Sequence, residues 1–509
     1  MMEEERKYDV PTGFVLPELA GAVPDGGRVV ALPPVTLTAT YFDTADLRLA
    51  RAGVSLRHRK GDELPWTAKL PGDVPGVRHE ISRAGKARRI PAELAGLVTV
   101  YRRDADLAPA AVVRTVRHAY ELRDGGGRLL AELADDAVAV LDGKRVTAEF
   151  REIEVERKEG GRDLLDRVEA VLRDAGATGG GFVPKHVRAL GEAAAGPADL
   201  VEPGELPAGP TAADVVAAAI RHGVWRILTH DPLVRLGEPL PDGDTAVHQM
   251  RVGCRRLRSD LRTFAALVEP EWARPLRDEL RWLAGVLGAA RDAEVLRARL
   301  RRTAAADPVC PLDPAAVERL DAALATRESA ALAAVAEALR SPRYLALVEI
   351  LLTAARAPRL TAATGGPATE VLPRLVARPW RKLVLGDRSH GGAADLDPLG
   401  PDERWHAVRI AGKRARYAVD AVAPVLGGGA PKLARALARV QNLLGEHQDA
   451  AVAAQTWLDI ARAEPSDHTL AVTAGRLMER ERAAISAARA EFPAAWRRAT
   501  KGSRTKWLP

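Results

Sequence analysis

Only two cysteines, Cys254 and Cys310, occur in 509 residues. That excludes a disulfide framework and a cysteine-built zinc cluster, and points to a reducing compartment, the cytoplasm. Aromatic residues make up 4% of the chain. The rows of basic residues in its second half therefore lack the interleaved rings on which single-stranded nucleic acid stacks, which argues against nucleic acid as a partner. No uninterrupted apolar run approaches ~18 residues, so no membrane span is expected. The first residues are charged, with no apolar stretch behind them to form a signal peptide. No segment fits G-x-x-x-x-G-K-S/T, which removes a nucleotide P-loop. The glycine run RDGGGR at 123–128 reads as a hairpin turn.

Positive charge is what the chain has to spare. Its net charge is +7 with pI ≈ 9.5, and Arg far outnumbers Lys, which favours anions that accept bidentate hydrogen bonds, such as phosphates. A length of 509 residues predicts two to four domains at roughly 150 residues each. Residues 1 to about 156 carry period-two runs broken by Gly, Pro and Asp, the pattern of short antiparallel strands. The runs fall at 3–9, 35–42, 54–60, 64–70, 77–82, 112–122, 128–140 and 145–157, enough for an eight-stranded barrel. A helix follows at 161–174. The Ala-, Gly- and Pro-rich stretch 191–210 places a linker at 196–207 between domains at 1–195 and 208–500. The fold class expected is multidomain α+β, a β tunnel followed by all-α tandem four-helix bundles.

The strands alternate charge with apolar residues. Glu3, Glu5 and Lys7 share one face of the first run, Arg57 and Arg59 another, Arg78 and Glu80 a third, and Glu152, Glu154 and Glu156 a fourth, with Ile153 and Val155 opposite. A solvated sheet face explains any single strand. Carboxylates stacked at two-residue spacing repel one another unless a cation lies between them. A barrel with its charged side inward would hold a hard metal ion beside a row of cationic clamps, a device for a metal-bound polyphosphate. The ordered motifs E-x-E-x-K at Glu3, Glu5 and Lys7, YFDTADLRLARAGVSLRHR at 41–59 and EIEVE at 152–156 resemble the CYTH domain, the fold of the triphosphate tunnel metalloenzymes. The resemblance implies phosphate contacts from Lys7, Arg57, Arg59, Lys69, Arg78, Arg117, Lys185 and Arg188. It implies Mg²⁺ or Mn²⁺ ligands among Glu3, Glu5, Glu132, Asp136, Glu152, Glu154 and Glu156, with Glu5, Lys7, Glu152 and Glu154 carrying catalysis. Glu80 pairs with nearby bases, and Arg114 competes with Arg117 for one phosphate position, since the two have opposite parity on one strand.

After residue 211 the period becomes helical. VHQMRVGCRRLRSDL at 247–261 aligns without gaps on WHAVRIAGKRARYAV at 405–419, and LGAARDAEVL at 287–296 matches LGEHQDAAVA at 444–453. This internal repeat predicts two related bundles, at about 208–340 and 341–500. On a helical wheel His248, Arg251, Arg255, Arg258 and Arg262 share about one quarter of the circumference, opposite Val247, Met250, Cys254, Leu257, Leu261 and Phe264. His406, Arg409, Lys413 and Arg416 repeat the stripe. Further bases recur at the same spacing in Arg274, Arg277, Arg281 and in Lys432, Arg435, Arg439. A solvated face usually interleaves Glu, and these helices barely do. The arginines would repel a metal from either histidine. The repeated motifs resemble the CHAD domain, which implies a pair of four-helix bundles with a basic groove for inorganic polyphosphate, lined by the two stripes with Arg256, Arg414, Lys432, Arg435 and Arg439.

The function expected is a metal-dependent inorganic triphosphate or polyphosphate hydrolase with a polyphosphate-holding helical domain. A non-catalytic polyphosphate binder or sensor is the alternative. Adenylate cyclase or thiamine triphosphatase chemistry, which the same tunnel fold hosts, is a weaker one.

Overall fold

A computed structural model describes residues 2–24, 26–72, 77–179, 184–241, 243–387 and 391–509. The chain forms two compact units, Met1–Leu200 and Val201–Pro509.

The first unit is built on strands β1 (Met2–Val10), β2 (Arg28–Ala31), β3 (Val35–Asp43), β4 (Ser55–Lys60), β5 (Trp66–Pro71), β6 (Val77–Arg83), β7 (Ala108–Arg123), β8 (Leu129–Asp142) and β9 (Arg145–Arg157). Its helices are α1 (Arg48–Arg51), α2 (Ala92–Leu97), α3 (Thr99–Arg102), α4 (Arg162–Asp174) and α5 (Lys185–Leu190). All pairings are antiparallel, in the order β7-β3-β4-β5-β6-β1-β9-β8, and β8 returns to β7, closing an eight-stranded barrel. The sequence pattern lacked β2, which pairs with the end of β7 just beyond β3. β2 and β3 follow one edge of β7 and are separated by Pro33 and Pro34, which have no N–H to give to the ladder. The 123–128 segment is the expected hairpin turn: the Gly127 N–H donates to the Asp124 carbonyl at 3.0 Å, with Gly127 at φ +85°.

Side-chain parity is set by what covers the outside of the barrel. Tyr8 and Val10 of β1 and Ile153 and Val155 of β9 pack under Leu164, Leu165, Val168 and Leu172 of α4 in one apolar core. Burial of this kind is worth roughly 1.5–3 kcal/mol per side chain. Arg6 reinforces the contact by donating to Asp166 and Glu169 of α4 at 2.6 and 2.7 Å. With the even positions of β1 committed to α4, Glu5 and Lys7 point to the interior. The expected linker begins later than residue 196, because Arg51 donates to the Pro197 carbonyl and Asp199 is paired with both Arg51 and Arg103.

The second unit is helical: α6 (Ala212–Leu236), α7 (Ala246–Thr263), α8 (Pro270–Ala304), α9 (Pro314–Arg340), α10 (Pro342–Arg356), α11 (Ala368–Leu385), α12 (Asp402–Leu426), α13 (Gly429–Ala463), α14 (His468–Ala499) and α15 (Gly502–Thr505). α6, α7, α8 and α10 make one bundle, and α11 to α14 the other. The Tyr344 hydroxyl of α10 donates to buried Asp231 of α6 at 2.7 Å. The first bundle therefore runs to Arg356, past the 340/341 division expected from the repeat. α9 adds Leu320 and Leu324 to a core shared with Trp457 of α13 and Leu477 of α14. α7 buries Met250, Cys254, Leu257 and Leu261 as its periodicity predicts. It approaches α6 so closely at Gly253 that a Cβ there would lie 2.9 Å from Ile227. Among the described residues no helix is long and apolar enough to cross a membrane.

Candidate functional site

Alternate residues of the strands line a cavity of about 360 Å³ inside the barrel, which Lys185 and His186 of α5 also reach. Strand order sorts the lining by sign in part, with Lys7 of β1 and Glu80 of β6 as exceptions. Adjacent strands β4, β5 and β6 contribute Arg57, Arg59, Lys69 and Arg78, while adjacent β1, β9 and β8 contribute Glu5, Glu154, Glu156 and Glu132. Glu80 pairs with Lys69 at 2.9 Å, as expected, and Arg59 with Asp62, which the sequence pattern did not single out. Arg114 is exposed on the outer face, so Arg117 is the residue of that pair that lines the tunnel.

Behind the acidic arc, Asp136, Glu152 and Glu154 bring one carboxylate oxygen each to within 4.8 Å of one another. Four cations contact them, Lys185, Arg117, Lys7 and, at Glu152, Arg188. The Lys185 Nζ lies 2.5, 3.0 and 2.9 Å from Asp136, Glu152 and Glu154. Arg117 donates to Asp136 and, at 3.0 Å, to Glu154, and Lys7 donates to Glu154. Burial by itself would raise the Glu154 pKa, but Lys185, Lys7 and Arg117 outweigh it and hold the carboxyl well below its usual range. Asp136 is likewise lowered, against its burial, by Lys185 and Arg117. In Glu152 burial wins and the pKa is raised. The Glu152 Oε1 accepts no hydrogen bond despite its ion-pair contact with Lys185. An all-carboxylate donor set of this size suits a hard divalent cation.

The remaining expected ligands do not converge on this point. Glu132 and Glu156 face each other across β8 and β9 and share Lys158, at 3.1 Å from Glu132. Glu156 is four residues along β9 from Glu152, about 13 Å at the rise of a strand, so the acids are at least two groups and not one metal site. Glu5 is buried and 3.5 Å from Lys7. The side chain of Glu3 lies outside the described residues. Arg188 does not line the tunnel: it pairs with Asp9 and, at 3.2 Å, with Glu152, and stacks over Phe150. His186, missed in the sequence, is stacked on Tyr41, and burial with Arg78 and Lys7 nearby pushes its pKa down to about 3.

In the helical unit a groove of about 700 Å³ runs between α7 and α12, flanked by α8 and α13. His248, Arg251, Arg255, Arg258, His406, Arg409 and Lys413 line it, as the two stripes predict, together with Arg281 and Arg291. Arg291 sits in the repeated LGAARDAEVL segment, which was the available signal for it. The repeats place Arg251 3.2 Å from Asp292 and Arg409 3.9 Å from Asp449. The Nε atoms of Arg251 and Arg409 are both buried without a hydrogen-bond partner, a state that an anion in the groove would relieve. Burial, with Arg255 and Arg409 beside it, pushes the Lys413 pKa down to about 7.

Other expected contacts lie elsewhere. Arg256 is engaged by Asp260 and Asp420, and Arg416 by Asp420. Arg414 lines a separate recess with Lys382 and Asp387, and Arg262 is absent from the groove lining. Lys432, Arg435 and Arg439 form another recess, of about 250 Å³, with Arg498 and Arg504. The helical period alone puts these residues on polar faces; which groove a face meets depends on its neighbours.

A β tunnel with opposed cationic and acidic arcs, joined in one chain to paired bundles around an arginine-lined groove, defines a two-part class of anion-handling protein. The CYTH domain family model matches residues 1–179 and the CHAD domain model residues 218–458. Two Mycobacterium tuberculosis proteins, both named as uncharacterized, are similar along their whole length: MT2285 of strain CDC 1551 / Oshkosh and Rv2226 of strain ATCC 25618 / H37Rv. Each is 34% identical over 529 residues, covering 99% of this chain and 97% of the relative. The chain belongs to this family of CYTH–CHAD proteins. Among solved structures it is similar to PptA from Streptomyces chartreusis, with 25% identity and a TM-score of 0.46 over 57% of this chain and 99% of that one. It is also similar to the CHAD domain from the plant Ricinus communis, with 26% identity and a TM-score of 0.45 over 58% and 95% of the two chains.

Proposed function

We propose that the tunnel hydrolyses phosphoanhydride bonds of inorganic triphosphate or of a polyphosphate end with Mg²⁺ or Mn²⁺, and that the helical groove holds the long polyanion, in the cytoplasm. The observation that carries this reading is a single tunnel lined by cations of β4, β5 and β6 and by carboxylates of β1, β9 and β8, with Asp136 and Glu152 buried beside it. Arg57, Arg59, Lys69 and Arg78 bind and orient the phosphate oxygens and stabilise the charge that develops on the leaving phosphate. Arg57 has a buried Nε without a partner to offer. Asp136, Glu152 and Glu154 are the residues that would hold the divalent ion, while Glu5 stands in register with Glu156. Such an ion, when bound, supplies neutralisation of phosphate charge and a more acidic water. Burial, with Arg78 and Lys7 nearby, keeps the His186 imidazole neutral at physiological pH in the free protein. A protein that only sequestered polyphosphate would gain little from carboxylates facing its own ligand.

The groove has cations on both repeats and few compensating acids, which suits a linear polyanion bound without metal. Covalent attachment of such a store to the tunnel raises the local substrate concentration. Phosphate release from triphosphate, long-chain polyphosphate, ATP and thiamine triphosphate, each with Mg²⁺, Mn²⁺ or chelator, tests the proposal. Metal-dependent release from the inorganic substrates is expected, and none from any substrate would leave the sequestering role.

A further inference from the structure

Lys185 belongs to α5 and not to the barrel wall, yet its ammonium sits among the only carboxylate trio found in the described residues, 3.0 Å or less from all three. Asp136 and Glu152 are fully buried, and the Lys185 side chain is 10% exposed. A divalent ion bound to the same three oxygens would lie where the ammonium lies, since metal–oxygen bonds of about 2.0–2.2 Å draw those oxygens to one point. Two cations cannot share that point. We infer that Lys185 is an internal counter-ion that occupies the divalent-metal position of the resting tunnel, and that metal binds only by displacing it toward the phosphate-binding cavity.

The charge count explains what the displacement accomplishes. Asp136, Glu152 and Glu154 are already in contact with four cations, Lys185, Arg117, Lys7 and Arg188, so a divalent ion alone adds uncompensated positive charge to a buried site. A polyanion in the cavity supplies the missing negative charge and takes the freed ammonium as a ligand. Metal and triphosphate then bind with positive coupling, which is necessarily reciprocal. The tunnel accepts the metal–phosphate pair and resists either partner alone. The arrangement also gives Lys185 a different role from Arg57, which lines the cavity without contacting the carboxylate trio.

The inference rests on the reading of the tunnel as a metal-dependent phosphate site, and the experiment separates the two. Mn²⁺ binding to the full chain, read by the loss of the free-ion electron paramagnetic resonance signal, is compared in wild type, Lys185→Met, Lys185→Arg and Glu154→Gln. Lys185→Met should bind Mn²⁺ alone about tenfold or more tightly than wild type, within the range by which groups around a ligand set tune metal affinity. Lys185→Arg, which keeps the cation, should remain near wild type, and Glu154→Gln should lose binding. Because removal of the lysine leaves buried carboxylates short of a partner, the Lys185→Met chain should melt earlier without metal and gain more in Tm from Mn²⁺ than wild type does. In chelator, triphosphate binding should be weakened less by Lys185→Met than by Arg57→Ala. Unchanged or weaker Mn²⁺ binding by Lys185→Met, with Glu154→Gln still losing it, would overturn the counter-ion role and leave the metal-dependent reading standing. Equal loss of metal-free triphosphate binding in Lys185→Met and Arg57→Ala would overturn it as well. No Mn²⁺ binding by wild type or Lys185→Met would remove both.

Discussion

Binding of polyphosphate in the helical groove should take up a proton, and Lys413 is the reason. Its side chain is half-buried on α12 among Arg409 of the same helix and Arg251 and Arg255 of α7, with Asp449 of α13 opposing them. In the free protein desolvation, with the neighbouring arginines, holds its pKa at about 7. A polyphosphate in the groove reverses the local field and favours the charged form. At pH 6 the lysine is already protonated and binding costs nothing extra. At pH 8 a group of pKa about 7 is about one-tenth protonated, so recovering the proton weakens binding about tenfold, or ~1.4 kcal/mol. Affinity therefore falls as pH rises through 7. The comparison chain is Lys413→Arg, whose guanidinium keeps its charge at pH 8. His248, lowered by burial and by Arg291, is the same in both chains, so their difference isolates Lys413. Calorimetry of long-chain polyphosphate binding in chelator, repeated in buffers of different ionisation enthalpy, should give close to one more proton taken up at pH 8 by wild type than by Lys413→Arg. Equal proton uptake by the two chains would refute the reasoning.

Glu154→Gln should cut metal-dependent turnover by about a thousandfold, ~4 kcal/mol in activation free energy, while triphosphate binding in chelator persists, because the change spares the cationic arc. Steady-state rates and metal-free titrations read the two effects. Arg117→Ala should lower the Tm of the first unit by about 3–12 °C, since it strips one of two partners from fully buried Asp136 while Lys185 remains, and hydrogen bonds to charged groups are worth about 1.5–3 kcal/mol; exposed Arg114→Ala should change it by less than about 2 °C. Replacing Arg251, Arg255, Arg409 and Lys413 together by Glu should abolish polyphosphate binding with the helical circular dichroism intact. In wild type that binding should weaken steeply with salt as counterions are released, and duplex DNA at matched phosphate concentration should compete poorly.

Much of this protein is written in local periods. Period two placed Glu152, Glu154 and Glu156 on one face and Ile153 and Val155 on the other, and the helical period placed Arg251 and Arg255 opposite Cys254 and Leu257. Parity and helical phase depend on a few consecutive residues, so these assignments needed no fold. The same rule put β2 out of reach, because a four-residue strand cut off by Pro33 and Pro34 has too little period to recognise. It also left Arg114 and Arg117 unresolved until the side of β7 that faces inward was known.

What the tertiary structure decided is which of these faces meet. Barrel closure brings β9 between β1 and β8, which gathers Glu154 with Lys7 across one ladder and Asp136 with Glu152 across the other. It sets the basic strands β4, β5 and β6 on a different arc. Asp136 and Lys185 are 49 residues apart in sequence, and no periodic pattern links them. Arg256, Arg416 and Lys432 looked equivalent to the groove residues in type and repeat, yet packing assigns the first two to Asp420 and the third to a separate recess. Short-range sterics and burial fix the orientation of a side chain on its own element. The partner across a site is chosen by the long-range pairing of elements, which is a property of the whole chain.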